Sequence, residues 1–91
     1  VEPEFVSSED TWRIIIEDSD EMIEMIRRNI KELAESRQEI LDLKESKKAT
    51  DFWCDVELER CRRAQEGAVW CLKSTQRQKK IAIMELNRLN D

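Results

Sequence analysis

Apolar residues recur at seven-residue spacing from Trp12 to Leu89 without losing phase. With Ile16 at heptad position a, the remaining a positions are Ile23, Ile30, Arg37, Lys44, Asp51, Leu58, Gln65, Leu72, Lys79 and Leu86. The d positions are Trp12, Ser19, Ile26, Leu33, Ile40, Lys47, Cys54, Cys61, Ala68, Thr75, Ala82 and Leu89. Alternating steps of three and four keep one stripe of a helix apolar, and that stripe is stable when buried against another helix. The pattern predicts an all-α chain in the form of a long antiparallel coiled coil. Two versions fit, a dimer of extended helices and a helical hairpin with its turn near residue 49. A four-helix bundle is the wider assembly of the same kind.

The first half carries the better seam, with Ile23, Ile26, Ile30, Leu33 and Ile40 in register. The second half carries smaller residues. Residues 1–10 read as a leader, because Pro3 bars helix, Ser7 or Ser8 can cap, and Phe5 and Val6 can fold back as a staple. Residues 11–90 read as the helical association domain. Within it, Gly67 costs about 1 kcal/mol relative to Ala, and beside Ala68 it offers a close helix approach.

Residues 44–51 (KESKKATD) contain no large hydrophobe. Lys44, Lys47 and Lys48 suit a helix C-terminus, and Thr50 followed by Asp51 and Asp55 suits a new N-terminus. Against a turn, the usual Gly, Asn or Pro is missing, and the heptad phase runs through unchanged. On that phase, the uninterrupted helix is the favoured expectation.

Charge sets the direction of pairing. Residues 1–45 hold 14 acidic and 6 basic side chains, whereas residues 46–91 hold 7 acidic and 10 basic. A parallel pair would align like with like and stack Arg37, Lys44, Lys47, Asp51 and Lys79 each on its own copy, which costs free energy in every layer. An antiparallel pair centred on residue 49 sets Lys47 against Asp51, so these two are the orientation-setting residues. It also sets Ile40 against Leu58, Ile26 against Leu72 and Trp12 against Leu86, and meets Ile30 with Ala68 and Ile16 with Ala82. The expected self-association seam is therefore Trp12, Ile16, Ile23, Ile26, Ile30, Leu33, Ile40, Leu58, Leu72, Leu86 and Leu89.

Several large apolar residues fall off the seam. Phe52, Trp53 and Val56 cluster within one helical turn and Trp70 follows near the same side, forming a candidate partner patch, since aromatic residues are favoured as binding hot spots. Their competing role is ordinary core in a three- or four-helix bundle.

Charged residues make up 41% of the 91 and aromatics 5%, with one Gly, one Pro and no His. That composition suits long helices and lacks the parts of common catalytic sites, so no enzyme activity is expected and no catalytic residue is assigned. Cys54, Cys61 and Cys71 cannot complete a four-ligand zinc site alone, and on a helix Cys54 and Cys61 are about 10 Å apart, too far for a disulfide. Buried reduced thiols are expected, with no metal and no cofactor. The carboxylates of Glu17, Asp18, Asp20, Glu21 and Glu24 lack calcium-loop spacing and read as a solvated face. Arg60, Arg62, Arg63, Lys73, Arg77, Lys79 and Lys80 make a basic stretch, but an antiparallel acidic helix beside it offsets the attraction to nucleic acid. No apolar run spans a membrane, and the start at Val1 rather than Met suggests a piece of a longer chain.

The expected function is oligomerisation and scaffolding through protein–protein contacts, chiefly with a second copy, in a reducing cytoplasmic or nuclear setting. The alternative is a hairpin adaptor presenting Trp53 and Trp70 to a distinct protein such as a small GTPase, a motor or another coil.

Overall fold

The structure, a computed structural model, describes residues 8–91. It contains two helices, α1 (Ser8–Glu45) and α2 (Asp51–Asn90), folded back on one another as an antiparallel hairpin. The radius of gyration is 20.2 Å, against about 12 Å for a compact domain of this length. The extents of 64 × 32 × 15 Å describe a single layer of two helices. The leader residues Pro3, Phe5, Val6 and Ser7 lie outside the described residues. Helix begins at Ser8, with Glu9 and Asp10 in its first turn, where carboxylates meet the positive end of the helix dipole.

The uninterrupted helix favoured by the heptad phase is replaced by a turn over residues 46–50. The reason is a two-sided cap. The Lys48 amide donates to the Leu43 carbonyl at 3.1 Å and the Lys47 amide to the Lys44 carbonyl at 3.2 Å. These are the paired bonds of a Schellman motif, which requires a left-handed residue between them. Lys47 takes that role with φ 58°, in the place where glycine is usual. On the other side, the Thr50 hydroxyl accepts a hydrogen bond from the Trp53 amide at 3.2 Å, and its carbonyl accepts from the Cys54 amide at 3.0 Å. Thr50 has extended backbone (φ −70°, ψ 147°), as an N-cap should. The charges complement both dipoles, with Lys44 in the last turn of α1 and Asp51 in the first turn of α2.

Among the described residues, all seven that are buried occupy a or d positions of the sequence register: Ser19, Ile23, Ile40, Cys54, Cys61, Ala68 and Ala82. From Cys54 to Ala82 the d column of α2 is made of small side chains, and four of its members are buried. Large residues on α1 meeting small ones on α2 let the two backbones approach. Ile40, Cys54 and Cys61 form the tightest cluster, next to the turn, with Ala49 and Leu58 packed against it. Gly67 does not supply the close approach, because a Cβ built there would meet nothing within 4 Å. Its neighbour Ala68 is the residue that faces α1.

Candidate interaction surface

The seam residues divide by depth. Ile23 and Ile40 are buried, while Trp12, Ile16, Ile26, Ile30, Leu33, Leu58, Leu72 and Leu86 are half-buried. Leu89, level with the first turn of α1, is 49% exposed. The hairpin therefore brings these residues together within one chain. Arg37, at a core position opposite Cys61, is exposed, so its head group reaches solvent past the seam.

Lys47 and Asp51 lie at the edge of the seam, and both are exposed. Lys47 closes α1 and Asp51 opens α2. The ion pair next to the turn is Lys44 Nζ to Asp55 Oδ1 at 2.6 Å. The hydrogen bond and charge of Asp55 push the Lys44 ammonium pKa up. At the far end, Lys79 Nζ reaches Asp20 Oδ1 at 2.5 Å. In both pairs the lysine holds an a position and the acid an e position, so the cross-helix ion pairs lie on one flank of the seam. Ser19, 5% exposed, is the small residue that the register sets against Lys79.

The two flanks differ in kind. The e flank exposes a groove lined by Asp20, Ile23, Glu24, Arg27, Gln76 and Lys79. The opposite flank exposes one lined by Ile15, Asp18, Ser19, Met22, Thr75 and Gln78. Every g residue of α1 is uncharged: Ser8, Ile15, Met22, Asn29, Ser36 and Leu43. In α2 that column holds Ala64, Cys71 and Gln78 between Glu57 and Glu85.

The outward edges differ in charge. Positions b, c and f of α1 carry ten acidic and two basic residues, whereas those of α2 carry two acidic and six basic. Within the α2 edge, Glu59 accepts from Arg62 at 2.5 and 2.9 Å and from Arg63 at 3.2 Å. The Arg62 hydrogen bonds and charge, joined by those of Arg63, hold its carboxyl pKa down at about 2. Arg62 also reaches Glu66 at 2.6 Å.

The candidate partner patch is exposed on this α2 edge. Phe52 is 80% exposed, Trp70 70%, Trp53 44% and Val56 37%. A shallow depression joins Phe52 and Val56 to Asp55, Glu59, Arg60 and Arg63. Trp70 stands four to five turns further along. The patch is wider than the four aromatic-centred residues suggest, since Ile81 and Met84 continue it toward the C-terminus at 49% and 60% exposure. Their spacing from Trp70 along the outer stripe is the signal that identifies them. Among the cysteines, Cys54 and Cys61 are buried, as expected of small core residues, but Cys71 is exposed, and all three are free thiols. No helix among the described residues is long and apolar enough to cross a membrane.

No protein-family model matches the chain, and no curated protein or solved structure matches it, so the reading of this surface rests on its own geometry.

Proposed function

We propose that the hairpin is a non-enzymatic association module that holds proteins together through its helix faces, acting in oligomerisation and scaffolding. One observation carries this reading. Among the described residues, thirteen large apolar ones remain substantially exposed, while the buried set contains only two side chains larger than cysteine, Ile23 and Ile40. Exposed apolar surface on that scale marks a binding face. The intramolecular seam is already filled by the chain itself, so association uses the outer faces. A reducing cytoplasmic or nuclear setting accords with the free thiols.

A second reading, a hairpin adaptor for a distinct protein, is favoured by the combination of Phe52, Trp53 and Trp70 with arginines along the α2 edge. Tryptophan and arginine are the residue types most enriched at interface hot spots. Substituting Trp53 and Trp70 with alanine tests the common premise. Helicity and melting temperature should be retained while association through the outer α2 edge weakens at least tenfold. Loss of helicity in the dilute, monomeric chain would place these residues in the core and sink the proposal.

A further inference from the structure

We infer that two hairpins stack through the g flank, the less charged of the two, into a four-helix bundle, with α1 of each lying over α2 of the other and both turns at the same end. This deepens the association reading above and rests on it. The occupant of the flank is a second copy of this chain.

Three observations converge. The e flank carries the pairs Lys44–Asp55 and Lys79–Asp20, whereas the g column of α1 is uncharged throughout and Asp18 is the one charged residue lining the groove of that flank. Removing charged groups from water is the main cost of burying a helix face, and this flank largely avoids it. The flank is also furnished for packing: Met22 and Met25 are 48% and 61% exposed, and further toward the turn Cys71, Ser36 and Ala64 are small and exposed. Its size is sufficient. Two helices side by side, each about 10–12 Å across, along 64 Å present a face of roughly 1,300 Å², above the about 800 Å² per partner of a standard interface.

Charge selects the arrangement. Two flat hairpins can stack about a two-fold axis in two ways. An axis across the helices lays α1 on α1, acidic edge on acidic edge. An axis along the helices lays α1 on α2, acidic on basic, and keeps every neighbouring pair antiparallel. In the second arrangement, Met22 comes level with Gln78 of the second copy, Asn29 with its Cys71 and Ser36 with its Ala64. Glu39 comes level with its Arg60, so one charge pair closes the rim.

Light scattering on the full chain should give about twice the 10.9 kDa monomer mass. Met22→Lys and Ala64→Lys should each return the mass to monomer with helix content unchanged, whereas Val69→Lys on the other flank should leave it doubled. Asn29→Lys replaces either variant that fails to fold. A spin label at Ser46→Cys, in a Cys71→Ser background, should give a separation of about 20–30 Å, two helix diameters. A doubled mass that survives the g-flank lysines, or labels separated by nearly the length of the hairpin, overturns the inference. So does a wild-type chain that stays monomeric at every concentration reached. That last result leaves the module free to bind a distinct protein, whereas unfolding on Trp53 and Trp70 substitution removes the association reading itself.

Discussion

Replacing Lys47 with glycine should stabilise this protein, although glycine inside a helix destabilises. Lys47 has φ 58° in the Schellman turn that ends α1. An L-residue in that conformation costs about 1–2 kcal/mol, from crowding between its Cβ and the following carbonyl. Glycine removes the crowding but gives back about 0.5–1 kcal/mol through the greater freedom of the unfolded chain. The net gain is about 0.5–1 kcal/mol. For a chain of this size, 1 kcal/mol moves the melting temperature by about 4–8 °C, so a rise of about 2–8 °C is expected. The Lys47 side chain is exposed, so the substitution removes little else. In an uninterrupted helix, as in a swapped dimer of extended chains, the same glycine would sit mid-helix and cost about 1 kcal/mol. The two structures thus predict opposite signs. Thermal melts followed by far-ultraviolet circular dichroism, at several protein concentrations, decide between them. Lys47→Ala serves as the control, since it retains the Cβ and should give no gain. A lower melting temperature for Lys47→Gly, or a higher one for Lys47→Ala, would refute the left-handed cap and with it the hairpin.

Thr50→Ala removes the hydroxyl that caps the Trp53 amide and should cost about 1 kcal/mol in denaturant unfolding. Gly67→Ala should gain about 1 kcal/mol, because the position is helical and a Cβ there meets nothing. In the dilute, monomeric chain Cys71 should react rapidly with a thiol reagent, while Cys54 and Cys61 react only at the rate of unfolding. The Glu59 carboxyl should titrate near pH 2 rather than near 4.5 when followed by carbon NMR. Its folded pKa is depressed, so its contribution to stability is complete above the unfolded value and is lost as pH falls through about 2. High salt should move that midpoint back up, because the carboxylate and both arginines are exposed.

The core was legible in the sequence because a helix buries by position. Every buried side chain falls on the a and d columns, and even the polar Ser19 is buried through its place in the register. The turn was less legible. Its second half, the N-cap of α2, was visible in Thr50 and Asp51, but its first half, the C-cap of α1, relies on a lysine in a conformation that sequence alone assigns to glycine or asparagine. The continuous phase carried no information on this point, since each helix of a hairpin buries its own stripe and neither stripe constrains the other's count through the loop. The placement of Lys47 and Asp51 follows from the same cause. Both serve the helix ends, and the cross-helix pairing passes to Lys44 and Asp55, a few residues to either side. The uncharged g column of α1 was present in the sequence but had no meaning until the helices were paired, because only the pairing separates one flank from the other.

A two-helix layer leaves each helix with a single neighbour, so more than half of its circumference meets water. Here that circumference is not uniformly polar, and apolar residues stand on several of its columns. On α2 they alternate with arginine along the outward f column, Val56, Arg63, Trp70, Arg77 and Met84. On α1 the same column reads Ile14, Glu21, Arg28, Glu35 and Asp42. An apolar contact is non-directional and would accept many partners in many registers. Charge of opposite sign on the two edges restricts that choice, since a partner aligned like with like pays repulsion along the whole helix. The same division of labour operates inside the hairpin, where Ile23 and Ile40 supply burial while Lys44–Asp55 and Asp20–Lys79 fix the pairing from one flank. Contacts made on the outer faces would therefore follow the internal rule, with apolar residues providing the attraction and the acidic and basic edges providing its direction.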